Sequence, residues 1–124
     1  MSKPKIMIVE DEVLVAMSLR LDLLDFGYEV AELCSTGEMA VKTIKQVKPD
    51  LVMMDISLSG ELDGIETAKR IKDILDVPII FMSGYSDQSM QEKALAVDQT
   101  HYFLKPFNVD ELQKTLKLAI LKKH

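Results

Sequence analysis

Cysteine is nearly absent: Cys34 stands alone in the chain. That excludes a disulfide scaffold and a zinc site built from cysteines. Long apolar runs are absent as well, none approaching the roughly 18 residues that cross a bilayer. An excess of positive charge is lacking. Acidic residues number 20 against 15 Lys and Arg, for a net charge of −5. Nucleic acid is therefore not expected as a direct partner, since phosphate binding needs clustered cations. The opening Met1-Ser2-Lys3-Pro4 leads into an apolar stretch that stops at Glu10-Asp11, too short for the core of a secretory signal. The expectation is a cytoplasmic protein without membrane contact. Repeats, low-complexity tracts and linkers are lacking too. What remains is 124 residues, 48% hydrophobic and 28% charged. That composition suits one folded domain spanning 1–124 and excludes a disordered chain.

Two periods alternate along this domain. Lys5 to Val9 is a short apolar run rich in Ile and Val, a strand. Val13 to Phe26 follows a helical stripe, Leu14, Met17, Leu21 and Leu24, closed by Gly27. Tyr28 to Cys34 reads as a second strand. Ser35 and Glu38 have the spacing of a capping box and open a second helix, striped by Ala40, Ile44 and Val47. Leu51 to Met54 is a third strand, and Ser57 to Gly64 a loop. Asp63 caps a third helix with Ile65, Ala68, Ile71 and Leu75 inward. Pro78 to Met82 is a fourth strand. Asp87 opens a more polar helix with Met90, Ala94 and Val97 on one face. His101 to Leu104 is the fifth strand, and Asn108 caps a final helix striped by Val109, Leu112, Leu116 and Ala119. Met7, Met17, Met53, Met54 and Met82 read as core filling, and Cys34 as a small core residue.

Apolar strands separated by helices must be parallel and covered on both faces. The expected fold class is α/β, a doubly wound five-stranded parallel sheet of order 2-1-3-4-5, flavodoxin-like (βα)5. Ligands of such sheets bind at the carboxyl ends of the strands. The first strand ends in Glu10-Asp11, the third in Asp55, the fourth in Ser83-Gly84 and the fifth in Lys105-Pro106. The first and third strands are neighbours in this order, so the three carboxylates converge. Like charges about 4 Å apart repel by about 4 kcal/mol at an effective dielectric near 20. One lysine cannot neutralise three anions, whereas a divalent cation with oxygen ligands can: Mg²⁺, or Mn²⁺ in its place. In that setting Asp55 is a nucleophile able to accept a phosphoryl group, with the cation and Lys105 on the phosphoryl oxygens and Ser83 donating a hydrogen bond.

Taken singly, each of these residues has a plainer reading. Glu10, Asp11 and Glu12 suit a helix start, Asp55 and Ser83-Gly84 suit turns, Lys105 suits a surface and Tyr102 a strand. Their joint arrival at four strand ends favours the chemistry. In this order they resemble the receiver domain of two-component response regulators. Val9-Glu10-Asp11-Glu12 is similar to the family's acidic motif, Asp55 within Met53-Met54-Asp55-Ile56 to its phosphoacceptor, Ser83-Gly84 to its switch hydroxyl, and Tyr102-Phe103-Leu104-Lys105-Pro106 to its last-strand motif. The resemblance runs from about Lys3 to the last helix. It implies Mg²⁺ held by Glu10, Asp11, Asp55 and the backbone carbonyl of Ser57, and catalytic roles for Asp55, Lys105 and Ser83. It implies a histidine kinase or phosphotransfer protein as donor, and a cis peptide before Pro106. It further implies a switch in which Ser83 and Tyr102 move and alter the face of the fourth helix, fifth strand and fifth helix, through which a homodimer can form. Ser57 and Tyr85 fall at family positions that tune phosphate lifetime. The loop after Asp55 is one residue longer than the family's usual form and lacks its usual proline.

Three other functions fit the same residues less well. A phosphatase of the haloacid dehalogenase type wants a second aspartate two residues after the first, where this chain has Ser57. A receiver-like interaction domain that takes no phosphate usually lacks the aspartate or the lysine, and both are present. A flavin site needs a first loop that cradles phosphate, and here that loop is acidic. The expectation is thus a phosphoacceptor signalling domain rather than an enzyme acting on a separate substrate.

Overall fold

The computed structural model describes residues 3–84, 88–97 and 99–123. Strands and helices alternate as β1 (Lys5–Val9), α1 (Val13–Asp25), β2 (Glu29–Val30), α2 (Gly37–Val47), β3 (Leu51–Asp55), α3 (Gly64–Ile74), β4 (Ile79–Ser83), α4 (Gln88–Leu95), β5 (Thr100–Leu104) and α5 (Val109–Lys123). The five strands form one parallel sheet of order β2-β1-β3-β4-β5. Every residue of β3 and β4 is buried, because helices cover both faces; that is why their sequences run apolar without alternation.

The pleat sorts these side chains into two layers. Met7, Val9, Val52, Met54, Ile79 and Phe81 face one way, toward Ala40, Ile44, Ile65, Ala68, Ile71 and Ala94 of α2, α3 and α4. Ile6, Ile8, Leu51, Met53, Ile80 and Met82 face the other, toward α1 and α5. Cys34 is buried in the first layer, as its size suggests.

The structure departs from four local readings of the sequence. The stripe Leu14, Met17, Leu21 and Leu24 of α1 faces outward, with Leu14 82% and Leu21 67% exposed, so Met17 is not core filling. Ala16, Leu19 and Leu23 face the sheet instead. Both sets have helical spacing, so α1 is apolar on two faces and periodicity alone cannot choose between them. Val109 of α5 is likewise exposed, while Leu112, Leu116 and Ala119 are buried. The second strand is confined to Glu29–Val30. Beyond it the chain stays hydrogen-bonded to β1, Ala31 N to Ile6 O at 2.9 Å and Cys34 N to Ile8 O at 3.0 Å, with one extra residue between these bonds, and the Cys34 carbonyl accepts from Glu10 N at 2.9 Å. Charged Glu29 and Glu32 on this sheet edge suit an interrupted pairing. Finally, Thr36 rather than Ser35 caps α2, its Oγ1 accepting from Met39 N at 3.1 Å; Glu38 is used elsewhere.

Other local signals hold. Gly27 has φ +97°, a backbone conformation that closes α1 and suits glycine. Asp63 Oδ1 accepts from Glu66 N at 2.8 Å, and Asn108 Oδ1 from Glu111 N at 3.1 Å, capping α3 and α5. The suggested cap at Asp87, the lifetime position Tyr85 and the side chains of Lys122, Lys123 and His124 lie outside the described residues.

Candidate functional site

Parallel strands all deliver their carboxyl ends to one edge, and the order reverses between β1 and β3. Glu10 and Asp11 follow β1, and Asp55 closes β3. One carboxylate oxygen from each of these three residues lies within 4.8 Å of the others. Glu10 and Asp55 are buried, at 2% and 5% exposure, and Asp11 is intermediate. From the end of β5, Lys105 crosses the edge: its Nζ donates to Glu10 Oε1 at 2.6 Å and stands 3.8 Å from Asp55 Oδ1. Ser83 ends β4 and is buried, and its carbonyl accepts from Lys105 N at 2.8 Å. The Lys105–Pro106 peptide is cis, as the resemblance implied. Tyr102 is half-buried on β5 and packs with Met90 against the layer under α4.

Electrostatics follows from this crowding. Burial, and then the Glu10 carboxylate beside it, push Asp55 up to about 7; the Ser57 N–H and the Lys105 charge oppose this without cancelling it. Burial pulls Lys105 down, but its bond to Glu10 and the charges of Asp55, Glu10 and Glu12 outweigh burial and hold it above its usual range. It is an ammonium at neutral pH. Asp11, nearer solvent, has a burial penalty outweighed mainly by the Ser59 N–H and is held below the usual carboxylate range.

The loop from Ile56 to Asp63 wraps this edge. Ser57 N donates to Asp55 Oδ1 and Ser59 N to Asp11 Oδ2, each at 3.2 Å. Leu58 is buried in the core layer beneath. Gly64 N donates to Ile56 O at 3.1 Å, which folds the start of α3 back onto the end of β3. A Cβ at Gly64 would stand 2.1 Å from Asp55 O, so the close approach admits glycine only. Neither Gly64 nor Glu38 is among the residues that motif reading singles out for the site. Gly64 is legible only as half of an Asp-Gly turn signal, and Glu38 only as half of a capping box.

A family model described as the response regulator receiver domain matches residues 6–117. The chain belongs to the receiver domain family. Relatives agree with that membership. PdtaR, a transcriptional regulatory protein of Mycobacterium tuberculosis, is 33% identical over 116 residues, which cover 94% of this chain and 56% of PdtaR. ZraR, a transcriptional regulatory protein of Escherichia coli, is 33% identical over 120 residues, covering 96% of this chain and 27% of ZraR. The chain thus spans about half the length of one regulator and about a quarter of the other. Among solved structures, the signal receiver domain of a modulated diguanylate cyclase from Desulfovibrio desulfuricans matches with TM-score 0.91 and 38% identity, covering 98% of this chain and 97% of that one. A CheY-like receiver domain from Methanospirillum hungatei has TM-score 0.89 at 24% identity and supports the fold. Among the described residues, no helix of this receiver domain is long and apolar enough to cross a membrane.

Receiver domains bind Mg²⁺ through acidic residues, and the donor set here fits such an ion. It is all oxygen, it is anionic beyond what Lys105 offsets, and its oxygens are close enough to share one cation.

Proposed function

We propose that this receiver domain takes a phosphoryl group onto Asp55 and signals by changing its partner surface. The observation that supports this best is the single cluster of Glu10, Asp11 and Asp55 with the Lys105 ammonium 3.8 Å from Asp55 Oδ1. Glu10, Asp11, Asp55 and the Ser57 carbonyl would hold Mg²⁺, with Mn²⁺ as a substitute. When bound, the ion neutralises the carboxylates and the phosphoryl oxygens, and it favours ionised Asp55.

The donor is a phosphohistidine of a histidine kinase or phosphotransfer protein. A carboxylate oxygen of Asp55 attacks phosphorus, the P–N bond breaks, and the imidazole leaves carrying the electron pair and takes a proton. Lys105 balances charge on the phosphoryl oxygens and releases Glu10 as it does so. Ser83 then donates to the phosphoryl group, and Tyr102 repacks against α4. The face of α4, β5 and α5 changes, and it is offered to a downstream partner or a second copy. Two pre-existing states shifting in population suffice for this response.

A surface groove supports a docking place for such a donor. The outward stripe of α1 adjoins a groove of about 580 Å³ lined by Leu14, Val15, Ser18, Lys105, Pro106 and Phe107. That groove reaches the site through Lys105, so an apolar helix of the donor seated on α1 carries its phosphohistidine toward Asp55.

Incubation with Mg²⁺ and acetyl phosphate tests the reading. One acid-labile phosphoryl group is expected per wild-type chain and none on Asp55→Asn. Undiminished labelling of that variant would sink the assignment of Asp55.

A further inference from the structure

Glu38 lies on α2, outside the cluster of carboxylates, and motif reading gives it only a capping role that Thr36 performs. Its carboxylate is turned toward the loop after Asp55. Glu38 Oε1 accepts from Leu62 N at 2.8 Å. Gly60, with φ +107°, passes so near that a Cβ there would stand 3.3 Å from Glu38 Oε2. The neighbouring Gly37 brings α2 and α3 together, since a Cβ on it would meet Thr67 Oγ1 at 2.0 Å and Leu62 Cβ at 3.1 Å. Hydrogen bonds from the backbone N–H groups of Glu38 itself and Leu62 hold the carboxyl below its usual range. It is an anion wherever the domain is folded near neutral pH.

The loop therefore has two polar anchors of opposite purpose. On the site side, Ser57 N and Ser59 N are tied to Asp55 and Asp11. On the far side, three residues beyond Ser59, Leu62 N is tied to Glu38. Between them lies Gly60, whose positive φ sets no stiff conformation by itself. Leu58 seats the middle of the loop in the core; the far anchor adds the polar restraint on the stretch that follows Ser59.

We propose that Glu38 is a positioning residue for the site: by holding Leu62 it fixes the loop that presents Ser57 and Ser59 to Asp55 and Asp11. This rests on the reading of that cluster as a Mg²⁺-dependent phosphoacceptor. Groups that orient metal ligands commonly change metal affinity by roughly tenfold or more when removed. The loop's glycine and the α2 carboxylate belong together, the acidic side chain supplying the rigidity that Gly60 lacks.

The test compares wild type, Glu38→Ala and Glu38→Gln by amide chemical shifts, with and without Mg²⁺, and by melting temperature. In Glu38→Ala the Leu62, Ser59 and Ser57 amides shift in the metal-free protein, Mg²⁺ binds roughly tenfold more weakly, and the melting temperature stays near that of wild type. Glu38→Gln keeps a carbonyl oxygen for Leu62 N–H and restores most of the affinity. Wild-type Mg²⁺ affinity in Glu38→Ala, with Ser57 and Ser59 unmoved, overturns the proposal. Equal loss in Ala and Gln variants also overturns it, because the charge and not the hydrogen bond would then matter. Wild type that binds no Mg²⁺ and takes no phosphoryl group defeats the underlying reading instead, and the two failures are thereby separate.

Discussion

The proposed role would require Asp55 to be ionised, yet burial and Glu10 favour its protonated form. Its shift up to about 7 follows from that burial and from the neighbouring Glu10. The consequence for stability has a definite sign. Below about pH 4 Asp55 is protonated in folded and unfolded chains alike. Between about pH 4 and 7 the unfolded chain has released a proton that the folded one retains, so stability falls as pH rises through that window. In EDTA, urea unfolding of wild type should lose stability on the order of a few kcal/mol between pH 4 and 8 that Asp55→Asn does not lose. Parallel pH curves for the two proteins would contradict the burial argument. Lys105 shows what sequence position hides at this scale: the residue that holds it most closely, Glu10, is 95 positions away.

Helix starts and faces decide how the site is framed. Gly64 begins α3 against the backbone of Asp55. Gly64→Ala must push α3 off the end of β3, and overpacking of this kind costs about 1–3 kcal/mol. Denaturant melts should register that loss, and the Ser57 amide should move; an unchanged midpoint would mean the approach is looser than the distances indicate. The outer stripe of α1 carries a different prediction. Leu14→Glu adds charge to a side chain already 82% exposed, so stability should stay within about 0.5 kcal/mol of wild type. Phosphoryl transfer from a phosphohistidine protein should slow at least several-fold, while labelling by acetyl phosphate is unaffected. Equal slowing of both donors would place the effect in the site and not in docking.

For the whole molecule, the site is a product of sheet order, and a cation bound by the folded cluster alone would be linked to global folding. Mg²⁺ at a hundredfold excess over its dissociation constant should add about 2.7 kcal/mol of stability. Calorimetry at neutral pH should show the melting temperature rising with Mg²⁺ in wild type and much less in Asp55→Asn. No rise in wild type would remove the metal from the account. How far the sequence reaches is clear from the particulars. Strand and helix succession, the parallel sheet and the carboxylates at strand ends were legible, because apolar period and chain order suffice to direct every strand's carboxyl end to one edge. The inward face of α1 was not legible, because Leu14-Met17-Leu21-Leu24 and Ala16-Leu19-Leu23 both have helical spacing, and the choice is made by how α1 lies over β1 and β2, with Ala16, Leu19 and Leu23 against the sheet. Nor was the true use of Glu38, because a capping pattern is local while its partner Leu62 arrives from the next βα unit. Sequence thus determined which chemical groups reach the rim; packing between elements decided which of them touch, since contact depends on distances that one-dimensional spacing does not contain.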